Sequence, residues 1–168
     1  MEAPKYVTPD PRNQGKVAII TGASTGLGAA SAIELAAKGF TYLSLIARDE
    51  AKLSETKAAC LEAGAAKVLV LPKDLSKPVD VCIDIVEKTI QEFGRLDVLV
   101  NNAGVSLVKS ARDIEPEDID NLLSINLKAA MLLTKHALPH LEETKGCVIN
   151  ISSVAGNHIS VGNQTIYW

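Results

Sequence analysis

The segment Thr21-Gly22-Ala23-Ser24-Thr25-Gly26-Leu27-Gly28 sets three glycines between a run of apolar β-formers and an alanine-rich stretch. Glycine at such a junction lets the backbone approach a ligand closely, and the N–H groups that open a helix attract an anion such as a pyrophosphate. About twenty residues past Gly28, where a dinucleotide fold chooses between an acid for a ribose 2′-hydroxyl and an arginine for a 2′-phosphate, stands Arg48. A cation at the start of a helix opposes the macrodipole, so Arg48 calls for a local anion. Asp49 beside it reads as the N-cap of that helix rather than as a ribose ligand. This pattern favours NADP(H) and leaves NAD(H) as the alternative; the competing reading of Arg48 is a cation that only solvates a loop.

Further along, Asn101-Asn102-Ala103-Gly104 is turn chemistry closing an apolar run. Asn126 interrupts an apolar helical face, and a buried amide without partners would cost about 1–3 kcal/mol, so it must be hydrogen-bonded. A satisfied core amide and a working one are both compatible with that. Ser152 and Ser153 lie just past an apolar run, at the end of a parallel strand where such sheets bind ligands. Tyr167 carries a phenol that can serve as acid or base. His136 and His140 have the i, i+4 spacing of zinc ligands, but no third ligand accompanies them and Pro139 intrudes, so no metal is expected.

The elements that must position these residues follow from an alternation of short apolar runs with longer Ala- and charge-rich stretches, the pattern of a parallel α/β sheet. Strands are predicted at residues 16–21, 41–47, 67–71, 96–100 and 146–151, each apolar enough for burial on both faces. Helix one follows Gly26 and closes at Gly39; helix two runs from the Asp49 cap to Gly64. Val79, Ile83, Val86, Ile90 and Phe93 recur at steps of three and four as the packing stripe of helix three. A fourth stretch opens at Pro116 with Glu117 and Asp118 in its first turn and runs toward Leu141, with Pro139 expected to kink or end it.

With 168 residues, the chain is one domain's worth, and 47% hydrophobic with 22% charged residues is a globular composition. A net charge of −3 and the lack of any Lys/Arg run exclude a polyanion-binding face, so nucleic acid is not an expected partner. Three scattered cysteines form no CxxC pair, and no apolar run has signal-peptide or membrane-span length. The reading is of a soluble, cytoplasmic chain with reduced thiols and no membrane partner. Residues 1–14 read as a flexible tail, and 15–168 as the folded domain.

The glycine segment, the Asn101–Gly104 turn, Asn126 and Ile151-Ser152-Ser153, in this order and spacing, resemble the short-chain dehydrogenase/reductase family over residues 16–167. The resemblance implies a Rossmann-type, doubly wound parallel sheet binding NAD(P). It places Thr21, Gly22, Ser24, Thr25, Gly26, Leu27, Gly28, Arg48, Asp74, Leu75, Asn101, Ala103 and Gly104 about the cofactor, with Asp74 bordering the adenine. It also assigns Asn126 to a proton relay, Ser153 to orienting a small-molecule carbonyl or alcohol substrate, and Tyr167 to acid–base work during hydride transfer. The family pattern Tyr-x-x-x-Lys is cut short here, because the sequence stops at Trp168. Without a neighbouring ammonium a tyrosine titrates near ~10, leaving about one in a thousand as phenolate at neutral pH.

The family's sixth and seventh strands and substrate loop are not in the sequence either, so the sheet is expected to be truncated after the fifth strand and the domain incomplete at its C-terminus. Two functions follow. One is an NADP(H)-dependent oxidoreductase. The other is a catalytically impaired isoform or fragment that only binds dinucleotide, or pairs with another subunit through the fourth helix or the open edge of the fifth strand.

Overall fold

The computed structural model describes residues 8–110 and 112–153. Five parallel strands form one sheet: β1 (Val17–Thr21), β2 (Tyr42–Ala47), β3 (Lys67–Pro72), β4 (Val98–Asn101) and β5 (Cys147–Asn150), in the order β3-β2-β1-β4-β5. The helices are α1 (Gly26–Ala37), α2 (Glu50–Glu62), α3 (Pro78–Phe93), α4 (Pro116–Leu123) and α5 (Ala129–Thr144). Alternate residues of β1 supply the two halves of the core. Ala18 and Ile20 pack with Ala32 and Ala36 of α1 and Leu53 and Cys60 of α2, whereas Val17 and Ile19 pack with Ile85 of α3 and Leu133 of α5. Helices therefore cover both faces, and the strand order reverses direction at β1, between β2 and β4. This is the doubly wound sheet expected from the alternation, and β5 is its last strand.

Double-sided burial holds for the central strands but not for β5. Every residue of β1 and β4 is buried, while Ile149 is 44% exposed on the sheet edge. A strand's own composition does not reveal whether it stands in the middle or at the rim.

Three further expectations are corrected. The chain is already held from Asp10 on, short of the predicted tail boundary at residue 14. Pro11–Asn13 form a 3-10 turn, Asp10 N donates to the Lys38 carbonyl at 3.0 Å, and Gly15 N donates to Thr41 Oγ1 at 2.7 Å. The buried stripe of α3 is rotated from the predicted one. Val79 is 51% exposed, and Cys82, Ile85 and Thr89 are buried beside Val86, while Ile90 and Phe93 of the predicted stripe pack partly buried against the same core. Thr89 is tolerated there because its hydroxyl is satisfied by Ser44 Oγ and the Ile85 carbonyl, each at 2.9 Å.

Pro139, finally, does not end α5, which continues to Thr144. Pro139 and Lys135 are both exposed, so the carbonyl that proline leaves unpaired lies on the solvent side. The interruption comes earlier, as a π turn at Ser124–Lys128 in which Ala129 N donates to the Ser124 carbonyl. Among the described residues, no helix is long and apolar enough to cross a membrane.

Candidate functional site

Where β1 and β4 end side by side, their continuations leave the sheet toward opposite faces and open a crevice. Thr21, the last residue of β1, holds the two continuations together. Its Oγ1 accepts the N–H groups of Asn102 and Ala103, both at 2.9 Å, and donates to the Val100 carbonyl at 3.3 Å. The Asn102 side chain completes the clamp by donating from Nδ2 to the Thr21 carbonyl at 2.9 Å. All polar capacity of the Thr21 hydroxyl is thereby used, and the residue is 1% exposed. Its side chain lies behind the crevice and shapes it.

The glycines divide into two kinds. A Cβ on Gly28 would overlap the Gly22 carbonyl oxygen and the Asn102 amide, so this glycine permits the packing of α1 on the clamp. Gly26, at φ +56°, has no heavy atom within 4 Å of where a Cβ would stand. Thr25, the N-cap of α1, makes no side-chain cap bond. Among the described residues no side chain caps the first turn of α1, which suits its N–H groups to a pyrophosphate.

The crevice has a volume of about 490 Å³, within the range of small-molecule sites. Of the residues expected around a cofactor, Gly22, Ser24, Thr25, Arg48, Asp74, Leu75, Ala103 and Gly104 line it. Thr21, Gly28 and Asn101 are buried and lie outside the lining; Gly26 and Leu27 are exposed on the first turn of α1, Leu27 at 70%. Asp49 is the N-cap of α2, accepting Lys52 N at 3.1 Å, and this backbone hydrogen bond holds its carboxyl below the ordinary range. Asp74 closes a small turn by accepting Ser76 N at 2.9 Å. The Arg48 guanidinium, exposed at the rim, has no ion pair or hydrogen-bond partner among the described residues.

A second groove, of about 640 Å³, lies against α5 and β5 and contains Asn101, Asn126, Met131 and Ser152. Asn101 Nδ2 donates to Asn150 Oδ1 at 2.9 Å and to Thr134 Oγ1 at 3.2 Å, while its buried Oδ1 has no hydrogen-bond partner among the described residues. The Asn126 amide pairs with the Val105 backbone, Oδ1 accepting Val105 N and Nδ2 donating to Val105 O, each at 2.8 Å. Val105 lines the first crevice and Ala103 lines both, so the two spaces share one wall. Ser153 is half-buried at the end of the described chain; Tyr167 lies outside the described residues. No group of three His, Cys, Asp or Glu among the described residues could hold a metal ion.

Eight crevice residues were not among those assigned to the cofactor from sequence: Ile46, Ala47, Asp49, Lys52, Lys73, Asn102, Val105 and Ile125. Lys52 had a signal, since it stands on the first turn of α2 just after Arg48. Asn102 was in plain view within the Asn-Asn-Ala-Gly turn, but only its long-range bonds to Thr21 give it a role.

This geometry has close counterparts. The family model described as short chain dehydrogenase matches residues 16–167. An 11-beta-hydroxysteroid dehydrogenase-like 4A of Arabidopsis thaliana is 42% identical over 143 residues, covering 84% of this chain and 47% of the relative. An 11-beta-hydroxysteroid dehydrogenase A of Arachis hypogaea is 40% identical over 143 residues, covering 83% and 40%. The chain thus spans about half the length of the curated relatives it matches. Among solved structures, a metagenomic short-chain oxidoreductase in complex with NADP superposes with a TM-score of 0.82 at 37% identity, over 92% of this chain and 69% of the other. An NAD+-bound xylitol dehydrogenase reaches 0.83 at 27% identity, over 93% and 59%. The family model takes in nearly the whole sequence, and the chain belongs to the short-chain dehydrogenase family.

Proposed function

We propose that the chain holds a nicotinamide dinucleotide in the first crevice, prefers NADP(H) to NAD(H), and serves an oxidoreductase that interconverts an alcohol and a carbonyl compound. The Arg48 guanidinium at the crevice rim, without an ion pair or hydrogen-bond partner among the described residues, carries the cofactor choice. Family members are known with either dinucleotide, as the NADP complex and the NAD+-bound relative illustrate, so family membership alone leaves that choice open. A guanidinium in that position is suited to a bidentate bond with a 2′-phosphate.

When bound, the dinucleotide supplies or accepts the hydride. The chain's own residues do the rest. The open first turn of α1 with Ser24 and Thr25 receives the pyrophosphate, and Asp74 and Leu75 border the adenine. Tyr167 gives a proton to the substrate oxygen, or takes it back in the oxidative direction, while the Ser153 hydroxyl orients that oxygen. Asn126, fixed by Val105, takes part in the proton relay from the wall between the two grooves.

Titration of the folded chain with NADPH and NADH, followed by NADPH oxidation against carbonyl compounds that include ketosteroids, tests this reading. Binding of NADPH at least tenfold tighter than NADH, with turnover lost in Tyr167→Phe, is the expected result. Equal affinities would remove the NADP(H) preference. Turnover indistinguishable from that of Tyr167→Phe would remove catalysis by this chain and leave a dinucleotide-binding protein.

A further inference from the structure

Three cations and two carboxylates surround the end of the crevice beyond Arg48, and their pairing shows which of them are available to a ligand. Lys73 Nζ is held at 2.7 Å by Asp84 Oδ2, a carboxylate outside the crevice whose other oxygen pairs with Lys88 at 3.0 Å, so this group keeps one net positive charge. Asp49 and Asp74 both line the crevice, and both are held in place by backbone N–H groups, of Lys52 and Ser76 respectively. Without Lys52, the charges of Arg48 and the Lys73 group are cancelled by those of Asp49 and Asp74, which leaves a dianionic phosphate no net attraction.

Lys52 reverses that balance. It stands on the first turn of α2 with its side chain 53% exposed, lines the crevice, and places Nζ 3.5 Å from Asp49 Oδ2. An exposed pair at this distance contributes little to stability and is easily exchanged for a stronger anion. Glu50, the acid between them on the same turn, is not part of the lining.

We infer that Lys52 is the second phosphate-selecting residue of this chain: it neutralises Asp49 in the free protein and turns to the adenosine 2′-phosphate, together with Arg48, when the dinucleotide binds. The inference rests on the NADP(H) reading above but adds to it, because it makes discrimination depend on a pair of cations rather than on Arg48 alone.

Adenosine 2′,5′-bisphosphate and adenosine 5′-monophosphate differ only in the group concerned and need neither nicotinamide nor catalysis. Calorimetric titration of the 168-residue chain with each, at fixed ionic strength, reads the effect directly, with circular dichroism confirming that every variant is folded. Lys52→Gln is expected to weaken the bisphosphate roughly tenfold and the monophosphate less than twofold. Lys52→Arg should keep the preference. Asp49→Asn, which retains the helix cap but removes the charge, should strengthen the bisphosphate alone. If Lys52→Gln leaves the ratio of the two affinities unchanged while Arg48→Gln collapses it, Lys52 has no such role and the NADP(H) reading stands. If the unaltered chain binds both ligands equally, or folded chain binds neither, both readings fall.

Discussion

Asn126 grips Val105 by both of its backbone polar atoms, accepting from the N–H and donating to the carbonyl at 2.8 Å each. A side-chain amide used in this way imitates a neighbouring strand. It ties the π turn at Ser124–Lys128 to the connection that leaves β4, so the wall between the two grooves is braced from one residue.

Removing that brace strands a donor and an acceptor in a half-buried setting. Asn126→Ala is expected to destabilise the fold by about 2 kcal/mol, which corresponds to a drop in the thermal midpoint of roughly 4–8 °C for a chain of this size. Urea denaturation measures it. A change below about 0.5 kcal/mol, the level of an ordinary surface substitution, would mean that the pair does not hold the wall.

The two kinds of glycine in the phosphate turn should separate stability from binding. Gly28→Ala forces a methyl group against the Gly22 carbonyl and the Asn102 amide, and should cost about 3 kcal/mol or more. Gly26→Ala meets no atom and pays only for its left-handed backbone, about 1–2 kcal/mol. Its larger effect should be on dinucleotide affinity, because the methyl group projects where the ligand has to approach. Parallel denaturation and NADPH titration decide this; a Gly26→Ala chain with unchanged affinity would show that the first turn of α1 does not meet the pyrophosphate.

Thiol chemistry gives a test that needs no ligand. Burial pushes the Cys60 thiol up to about 12 and that of Cys82 to about 11, whereas Cys147 is exposed on β5. At pH 8 the folded chain should therefore take up one equivalent of iodoacetamide quickly, at Cys147, and three once unfolded. Rapid labelling of Cys60 in the folded state would contradict the packing of α2 on the sheet.

The loop between β4 and α4 should loosen in acid. Asp118 Oδ2 receives Lys109 Nζ at 2.5 Å and Glu115 N at 3.0 Å, and the Lys109 ammonium, with that N–H, lowers the Asp118 carboxyl below its ordinary 3.8. Because the folded value lies below the unfolded one, the stabilisation is complete above pH 3.8 and is lost as the pH falls through the lowered value. Hydrogen exchange in residues 105–118 should accelerate over that acid range, and Asp118→Asn should abolish the dependence. An unchanged exchange profile in the variant would place the acid sensitivity elsewhere.

Much of this architecture can be read without coordinates because its signals are local. The alternation of apolar runs with helical stretches fixes a parallel α/β sheet, and the glycine turn sits at the only kind of strand–helix junction that explains it. Asp49 announces the start of α2, since a cap satisfies N–H groups within the same turn.

Tertiary structure decided what depends on partners far away in sequence. Thr21 and Asn102 are 81 residues apart, and only their meeting assigns one to the clamp behind the crevice and gives the other a role in shaping it. The hydrogen bond between Thr89 and Ser44 across 45 residues lets a polar side chain join the buried face of α3, which periodicity of apolar side chains does not encode. β5 is apolar like the central strands yet exposes Ile149, because neighbours, not composition, determine burial. The grouping of Lys52 with Arg48 likewise emerges only when the other charges at the rim have been paired off. Local patterning, in short, specifies which element forms, because each turn or strand is stabilised within itself; long-range hydrogen bonds and ion pairs specify which face and which side chain a ligand meets.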